Sequence, residues 1–235
     1  MSLAPFKVLL FDCYGDWETG MLENLKPLLD QPSAPNREKL FEVLGPIENK
    51  TQDDTPTMLY YDVLTKVYSE TAGKLGLKAD ESQAKAFGHS VPSWPAFPDS
   101  SEALKKLSDA GLKLVILSNV DNTSFEGSRK RLENGFTFDA IYTAEKIGSY
   151  KPSLRNFDYA IENIKKDFGL EKEDILIVAN SKYHDIQPGN KKDLKSAWID
   201  RDKASMGVSA YKDVKPTYQF STMIEFANAM VKDKS

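Results

Sequence analysis

A short apolar run near the start of the chain ends abruptly in an acidic residue. Val8 to Phe11 contain no polar side chain, and Asp12 follows them directly. Such a run predicts a strand that is buried on both faces, as in parallel sheets covered by helices. In open α/β sheets ligands bind beyond the carboxyl ends of the strands, which makes Asp12 a candidate reactive group. The alternative is an aspartate that caps the turn before Gly15.

The rest of the chain divides into a helical block and an alternating block. Residues 17–90 show only helical patterns, and the second of these is predicted to begin at Asn36 and to stop at Gly45 and Pro46. Three prolines within residues 91–99 predict a stiff, extended connector, and from Ser100 onward helices and strands alternate. The alternation predicts an α/β fold with a parallel sheet. We expect a core domain of residues 1–16 and 91–235 and a helical domain of residues 17–90.

Composition excludes several classes of function. The chain has 235 residues, 40% of them hydrophobic, and a formal net charge of −4, so nothing favours binding to nucleic acid or to an anionic membrane. One Cys and two His argue against a disulfide framework, a multi-cysteine metal site and a histidine-rich metal centre. No apolar run approaches the roughly 20 residues of a membrane span. The start of the chain lacks a signal-peptide pattern, so a cytoplasmic location is expected.

Polar residues follow three of the predicted strands. These residues are Asp12, Ser118, Asn119, Asn180 and Ser181, and Lys151 lies in a loop of the same kind. Because the carboxyl ends of parallel strands meet at one edge of the sheet, we expect these side chains to converge there. Asn180 and Ser181, like Ser118 and Asn119, are expected to contact the substrate.

Their chemistry suits nucleophilic catalysis. A carboxylate such as Asp12 can form a covalent ester, and the ammonium of Lys151 would keep it ionised. Ser118 and Asn119 can donate hydrogen bonds to a substrate carboxylate or to developing charge. Asp185, in the acidic loop, could position or activate the water that cleaves the ester.

Each residue also has a plainer explanation. Lys151 could be a solvated surface lysine, and Ser118 with Asn119 could cap the following helix. Asp185 could be a cap as well, or pair with Lys182. We expect His184 to support the site rather than to take part in it directly.

Taken together, the four segments resemble the motifs of the haloacid dehalogenase superfamily. Residues 11–15 (FDCYG) resemble its first motif, residues 117–121 (LSNVD) its second and residues 150–152 (YKP) its third, while Asn180, Ser181, His184 and Asp185 resemble its fourth. Within the superfamily the sequence is most similar to the 2-haloacid dehalogenase branch, in particular to its fungal members. The resemblance implies a Rossmann-like core with a helical cap inserted after the first motif. Dimers occur in this family, so a homodimer is one expectation.

The residue two positions after Asp12 distinguishes the branches. Phosphatases of the superfamily carry a second aspartate there, which protonates the leaving alcohol, whereas this chain has Tyr14. A halide leaves unprotonated, so a tyrosine at this position favours carbon–halogen chemistry. The resemblance also implies that Tyr14 lies near the substrate. The leading hypothesis is therefore hydrolytic dehalogenation of a short 2-haloacid through an aspartyl ester. It requires a small-molecule substrate and neither metal nor cofactor.

The sequence also departs from the branch in three places. Gly15 runs directly into Asp16 and Trp17, as though a threonine and two apolar residues of the motif were missing. The tyrosine usual six residues after the motif-three lysine is Phe157 here, and Arg37 is the one arginine of the helical block that could receive the halide.

These departures keep two alternatives open. The first is a Mg²⁺-dependent phosphatase in which Asp12 and Asp185 bind the metal and Asp16 serves as the acid. The second is a catalytically weak or inert protein with a binding role.

Overall fold

The computed structural model describes residues 2–12, 17–201 and 211–234, without the side chain of Trp17. Its strands are β1 (Val8–Phe11), β2 (Lys113–Ser118), β3 (Ala140–Thr143), β4 (Ile175–Ala179), β5 (Lys195–Ile199) and β6 (Tyr218–Phe220). Its helices are α1 (Trp17–Leu29), α2 (Arg37–Asp54), α3 (Tyr60–Leu75), α4 (Glu81–Gly88), α5 (Ser100–Asp109), α6 (Asn122–Leu132), α7 (Ala144–Ile147), α8 (Leu154–Phe168), α9 (Gln187–Lys191) and α10 (Met223–Lys234).

The six strands form one sheet in the order β3-β2-β1-β4-β5-β6, and every neighbouring pair is parallel. The predicted α/β fold with a parallel sheet is therefore confirmed. β1 lies between β2 and β4, with Phe11 opposite Ile116 on one side and Val178 on the other. Asp12 thus follows a central strand, and the residues after β2 and β4 lie beside it at the same edge.

Both faces of β1 are buried, as its uninterrupted apolar run predicts. Leu9 and Phe11 belong to one apolar cluster, and Val8 and Leu10 belong to a second cluster on the opposite face. Successive side chains of a strand point to opposite faces, so a strand covered on both sides needs apolar residues at every position.

Four of the helices that follow β1, α1 to α4, are called the insert below. The prediction that the second helix stops at Gly45 and Pro46 is wrong, because α2 continues to Asp54. Proline lacks the N–H that would bond the carbonyl of Glu42, but Glu42 is exposed and its carbonyl can bond water. The buried face of α2 continues across this point, from Leu44 to Ile47, and its burial outweighs the local cost.

Other boundaries differ less. The sequence pattern predicts that the third helix of the insert begins near Thr55, but the helix begins at Tyr60. The connector contains a 3-10 turn at Val91–Ser93 rather than being wholly extended. The sequence pattern also predicts a helix near residues 183–192, where the structure has a π-helical turn, Lys182–Ile186, followed by α9. The division into a core domain and a helical cap domain stays our proposal. Within the described part of the chain, no helix combines the length and apolar character needed to cross a membrane.

Candidate active site

An ion triad of Lys151, Asp12 and Asp185 forms the centre of the site. The Nζ atom of Lys151 lies 2.8 Å from Oδ1 of Asp12 and 2.7 Å from Oδ1 of Asp185. A third hydrogen bond, 2.8 Å long, runs from the same Nζ to the carbonyl of Leu117 at the end of β2. Lys151 is 1% exposed, so the explanation that it is a solvated surface lysine is wrong.

Burial and charge act in opposite directions on this triad. Burial alone would lower the pKa of the Lys151 ammonium, but the charges of Asp12 and Asp185 and their hydrogen bonds outweigh it and raise that pKa. Burial raises the pKa of Asp185, and the negative charge of Asp12 raises it further against the opposing effect of Lys151. The Lys151 ammonium is therefore favoured in its charged form, and Asp185 is favoured in its protonated form.

Asn119 holds the backbone of Lys151 in place. Its Oδ1 accepts a hydrogen bond from the N–H of Lys151 at 2.7 Å, and its Nδ2 donates to the carbonyl of Lys151 at 2.9 Å. Its side chain does not cap α6, because Asp121 does so by accepting from the N–H of Ser124. The amide of Asn119 thus positions the lysine, while its predicted contact with substrate stays untested.

Three buried polar atoms at this edge have no hydrogen-bond partner among the residues that the structure describes. They are Oγ of Ser118, Oδ2 of Asp185 and Nε2 of His184. A buried polar atom without a partner costs free energy, so groups of this kind are expected where a ligand or water completes the site. Ser118 follows Leu117, whose carbonyl contacts Lys151, and Asp185 is part of the triad, so two of these three atoms belong to residues beside Lys151.

The π-helical turn after β4 orients His184. Oγ of Ser181 accepts a hydrogen bond from the N–H of His184 at 3.0 Å and lies 3.2 Å from its Nδ1. Burial lowers the pKa of His184 to about 4, and the positive charge of Lys151 lowers it as well. The imidazole is therefore neutral at pH 7, and its unpartnered Nε2 is available as an acceptor or donor.

Other predicted site residues have structural partners. The side chain of Asn180 donates to the carbonyl of Ile199 at 2.8 Å, which ties the loop after β4 to β5. The guanidinium of Arg37 pairs with Glu18 at 2.9 Å. Phe157 is fully buried in the apolar cluster that contains Leu10. The substrate roles predicted for Asn180, Ser181 and Arg37 remain predictions.

Some predictions lie outside the described residues. Tyr14, the residue that distinguishes the branches, and Asp16, the acid of the phosphatase alternative, belong to residues 13–16 and are not described. Within the described ranges, no group of three or more His, Cys, Asp or Glu side chains is arranged to hold a metal ion.

Sequence reasoning missed the contribution of the insert. Nδ2 of Asn119 also lies 3.3 Å from Oε1 of Gln52, and Nε2 of Gln52 donates to Glu48 at 3.0 Å. Glu48 and Gln52 lie in the part of α2 beyond Pro46, where the sequence predicts that the helix has already ended. Their spacing of four residues would have placed them on one helix face had that helix been extended.

Comparisons with known proteins match the chain to one hydrolase family. A family model described as haloacid dehalogenase-like hydrolase matches residues 47–199. An (S)-2-haloacid dehalogenase of Pseudomonas putida is 27% identical over 161 residues, which cover 68% of this chain and 67% of that protein.

Solved structures share the fold over nearly the whole chain. One, described as a dehalogenase with an intermediate complex, has a TM-score of 0.79 at 17% identity and covers 97% of this chain and 98% of its own. Another is the L-2-haloacid dehalogenase of Xanthobacter autotrophicus with covalently bound chloropropionic acid. It has a TM-score of 0.73 at 16% identity and covers 95% of this chain and 97% of its own. At these identities the likeness shows the fold alone.

Proposed function

The chain belongs to the haloacid dehalogenase-like hydrolase family, in its 2-haloacid dehalogenase-like branch, and we propose that it hydrolyses short 2-haloacids through an ester on Asp12. The observation that carries the proposal is the buried ammonium of Lys151, which is hydrogen-bonded to both Asp12 and Asp185. This arrangement provides an ionised nucleophile in a desolvated position, next to a second carboxyl group.

The first step is displacement of the halide. A carboxylate oxygen of Asp12 attacks the carbon that bears the halogen, the new C–O bond forms, and the halide leaves with the electron pair of the C–X bond. Lys151 stabilises the charged form of Asp12 before the attack. The Oγ of Ser118, which has no partner among the described residues, donates a hydrogen bond to the carboxylate of the substrate.

Ester formation prepares the second step. Once Asp12 is esterified its negative charge is gone, so the repulsion that raises the pKa of Asp185 disappears. Lys151 then favours the ionised form of Asp185, which releases its proton to solvent and becomes a base for water. Attack of that water on the ester carbonyl returns the carboxylate of Asp12 and releases a 2-hydroxyacid. The overall reaction consumes one water and yields halide and one proton.

His184 is a second candidate to receive the proton of that water. Its neutral imidazole lies close enough to Lys151 and Asp12 for their charges to affect its pKa, and its Nε2 has no partner. Ser181 fixes the ring from the other side through Nδ1.

The decisive experiment measures halide release from a panel of 2-haloacids by wild type and by Asp12→Asn. We expect wild-type turnover that does not depend on added metal, and a loss of at least about 10³-fold in Asp12→Asn, since the amide cannot form the ester. Parallel samples contain a generic phosphate ester with and without Mg²⁺. Full halide release by Asp12→Asn would refute the nucleophile, and Mg²⁺-dependent phosphate release alone would favour the phosphatase alternative.

A further inference from the structure

A chain of buried and partly buried hydrogen bonds connects the insert to the candidate active site. Oε1 of Glu48 accepts hydrogen bonds from the hydroxyl of Tyr60 at 2.9 Å and from Nε2 of Gln52 at 3.0 Å. Oε1 of Gln52 in turn accepts from Nδ2 of Asn119 at 3.3 Å, across 67 residues of sequence. Gln52, Tyr60 and Asn119 are all buried.

The core end of this chain is the residue that fixes Lys151. Asn119 contacts both the N–H and the carbonyl of Lys151, so rotation of its amide would release the backbone of the lysine. Gln52 provides an acceptor for the same Nδ2 that contacts the lysine carbonyl. An acceptor at this point favours the orientation in which Nδ2, rather than Oδ1, faces the insert.

The insert end determines how Gln52 is oriented. A carboxylate accepts hydrogen bonds, so Glu48 favours the rotamer of Gln52 that directs Nε2 toward it and Oε1 away from it. The reverse orientation would bring two oxygen atoms together. Tyr60, on the neighbouring helix α3, donates to the same oxygen of Glu48 and holds it in place.

We propose that Gln52 is a positioning residue of the active site, oriented by Glu48, which keeps Asn119 in the conformation that clamps Lys151. The kinetic part of this inference rests on the proposed function, whereas the structural part does not. It follows that the site is complete only when the insert is seated on the core, because one of its supports comes from α2.

The test compares Gln52→Met with wild type. Methionine has a similar volume but neither hydrogen-bonding group, so it breaks both contacts without opening a cavity. We expect kcat for halide release to fall roughly tenfold because the nucleophile and its lysine are misplaced, with KM changed by less than about twofold. The backbone N–H of Lys151, which donates a hydrogen bond to Asn119, should exchange with deuterium roughly tenfold faster.

The matched control is Gln31→Met. Gln31, between α1 and α2, likewise uses both ends of its amide, donating to the carbonyl of Lys78 at 2.7 Å and accepting from its N–H at 2.9 Å. The same exchange there should leave kcat and the exchange of Lys151 unchanged. If Gln52→Met fails to fold, Gln52→Asn serves instead, because its amide is one methylene too short to bridge Glu48 and Asn119.

Two results would overturn the inference. One is wild-type kcat together with wild-type exchange at Lys151 in the Gln52 variant, and the other is an equal effect of Gln31→Met. If the wild-type chain releases no halide from any acid of the panel, the proposed function is wrong, and the exchange rate of Lys151 alone then decides the role of Gln52.

Discussion

At the scale of single residues, the site depends on how one lysine balances two acids. Lys151 donates to Asp12, to Asp185 and to the carbonyl of Leu117, and it is almost completely buried. An ammonium with three acceptors is well compensated for its desolvation. The same compensation makes the two carboxyl groups dependent on it, because without it two acidic groups would share a buried site.

Lys151→Met should therefore destabilise the protein as well as abolish turnover. Breaking a buried ion pair from one side costs about 3–5 kcal/mol, and we expect a loss of this order in the free energy of unfolding at pH 7. The loss should shrink toward pH 5, because a carboxylate left without its ammonium partner is protonated more readily. Urea unfolding at both pH values measures the effect.

Lys7→Met is the control for that change. Lys7 pairs with Asp174 at 2.9 Å, but its side chain is 59% exposed. Loss of an exposed pair costs less than about 1 kcal/mol. A similar small loss in Lys151→Met at pH 7 would show that the buried triad does not stabilise the fold.

At the scale of secondary-structure elements, α2 is where a local rule fails. A Gly-Pro pair favours a helix end, yet α2 passes through Gly45 and Pro46 with Leu44 and Ile47 buried on either side. Tertiary burial of the apolar face outweighs propensity here. The continuation matters because it carries Glu48 and Gln52 to the edge of the site.

Pro46→Ala should stabilise the protein. Alanine restores an N–H donor to the carbonyl of Glu42 and removes the steric cost of proline, which together amount to about 3 kcal/mol in a helix interior. Greater freedom of the unfolded chain offsets up to about 1 kcal/mol, so we expect a net gain of about 2 kcal/mol. Thermal unfolding should show a midpoint several degrees higher.

Pro98→Ala provides the opposite case. Pro98 is exposed in a turn outside any helix, where proline restricts the unfolded chain without breaking a hydrogen bond. Its replacement should lower stability by about 0.5–1 kcal/mol. A loss of stability in Pro46→Ala as well would mean that the proline shapes α2 for its packing rather than straining it.

The same elements explain what the sequence could predict. The sequence predicts a strand over residues 175–179 and a helix over residues 154–168, and β4 and α8 have these bounds because each has an unambiguous apolar pattern and a clear end. Asp12, Lys151 and Asp185 could be predicted to converge because strand topology dictates where strand ends lie. The carbonyl of Leu117 and the amide of Gln52 could not, since a backbone group has no sequence signature and Gln52 lies beyond an apparent helix end.

At the scale of the whole molecule, the insert and the core meet through polar contacts that flank the site. Gln52 contacts Asn119, and the hydroxyl of the buried Tyr150 donates to the carbonyl of Met58 at 2.6 Å. Both core residues belong to the segments that hold Lys151. Glu48 is hydrogen-bonded to Gln52 at this interface, so the protonation state of Glu48 affects the stability of the whole protein.

The pKa of Glu48 makes the stability of the protein depend on pH. Burial raises the pKa of Glu48 from 4.5 to about 7, against the lowering effect of its hydrogen bonds to Tyr60 and Gln52. Because the folded pKa is higher than the unfolded one, this stabilising contribution is complete below pH 4.5 and is lost as the pH rises to about 7. Other groups titrate in the same range, so the informative quantity is the difference in unfolding free energy between wild type and Glu48→Gln.

Relative to Glu48→Gln, wild type should lose about 2 kcal/mol of unfolding free energy between pH 4.5 and pH 7.5. This is less than the pKa shift of Glu48 implies, because the side chain is only partly buried. Above pH 7.5 the two curves should run parallel, since Glu48 is then ionised in both the folded and the unfolded state. Urea unfolding of both proteins at intervals of one pH unit measures this difference in unfolding free energy. Glu42→Gln, an exposed glutamate of the same helix, is the control and should track wild type throughout. Parallel curves for Glu48→Gln would show that the carboxyl group is as well solvated in the folded protein as in the unfolded chain.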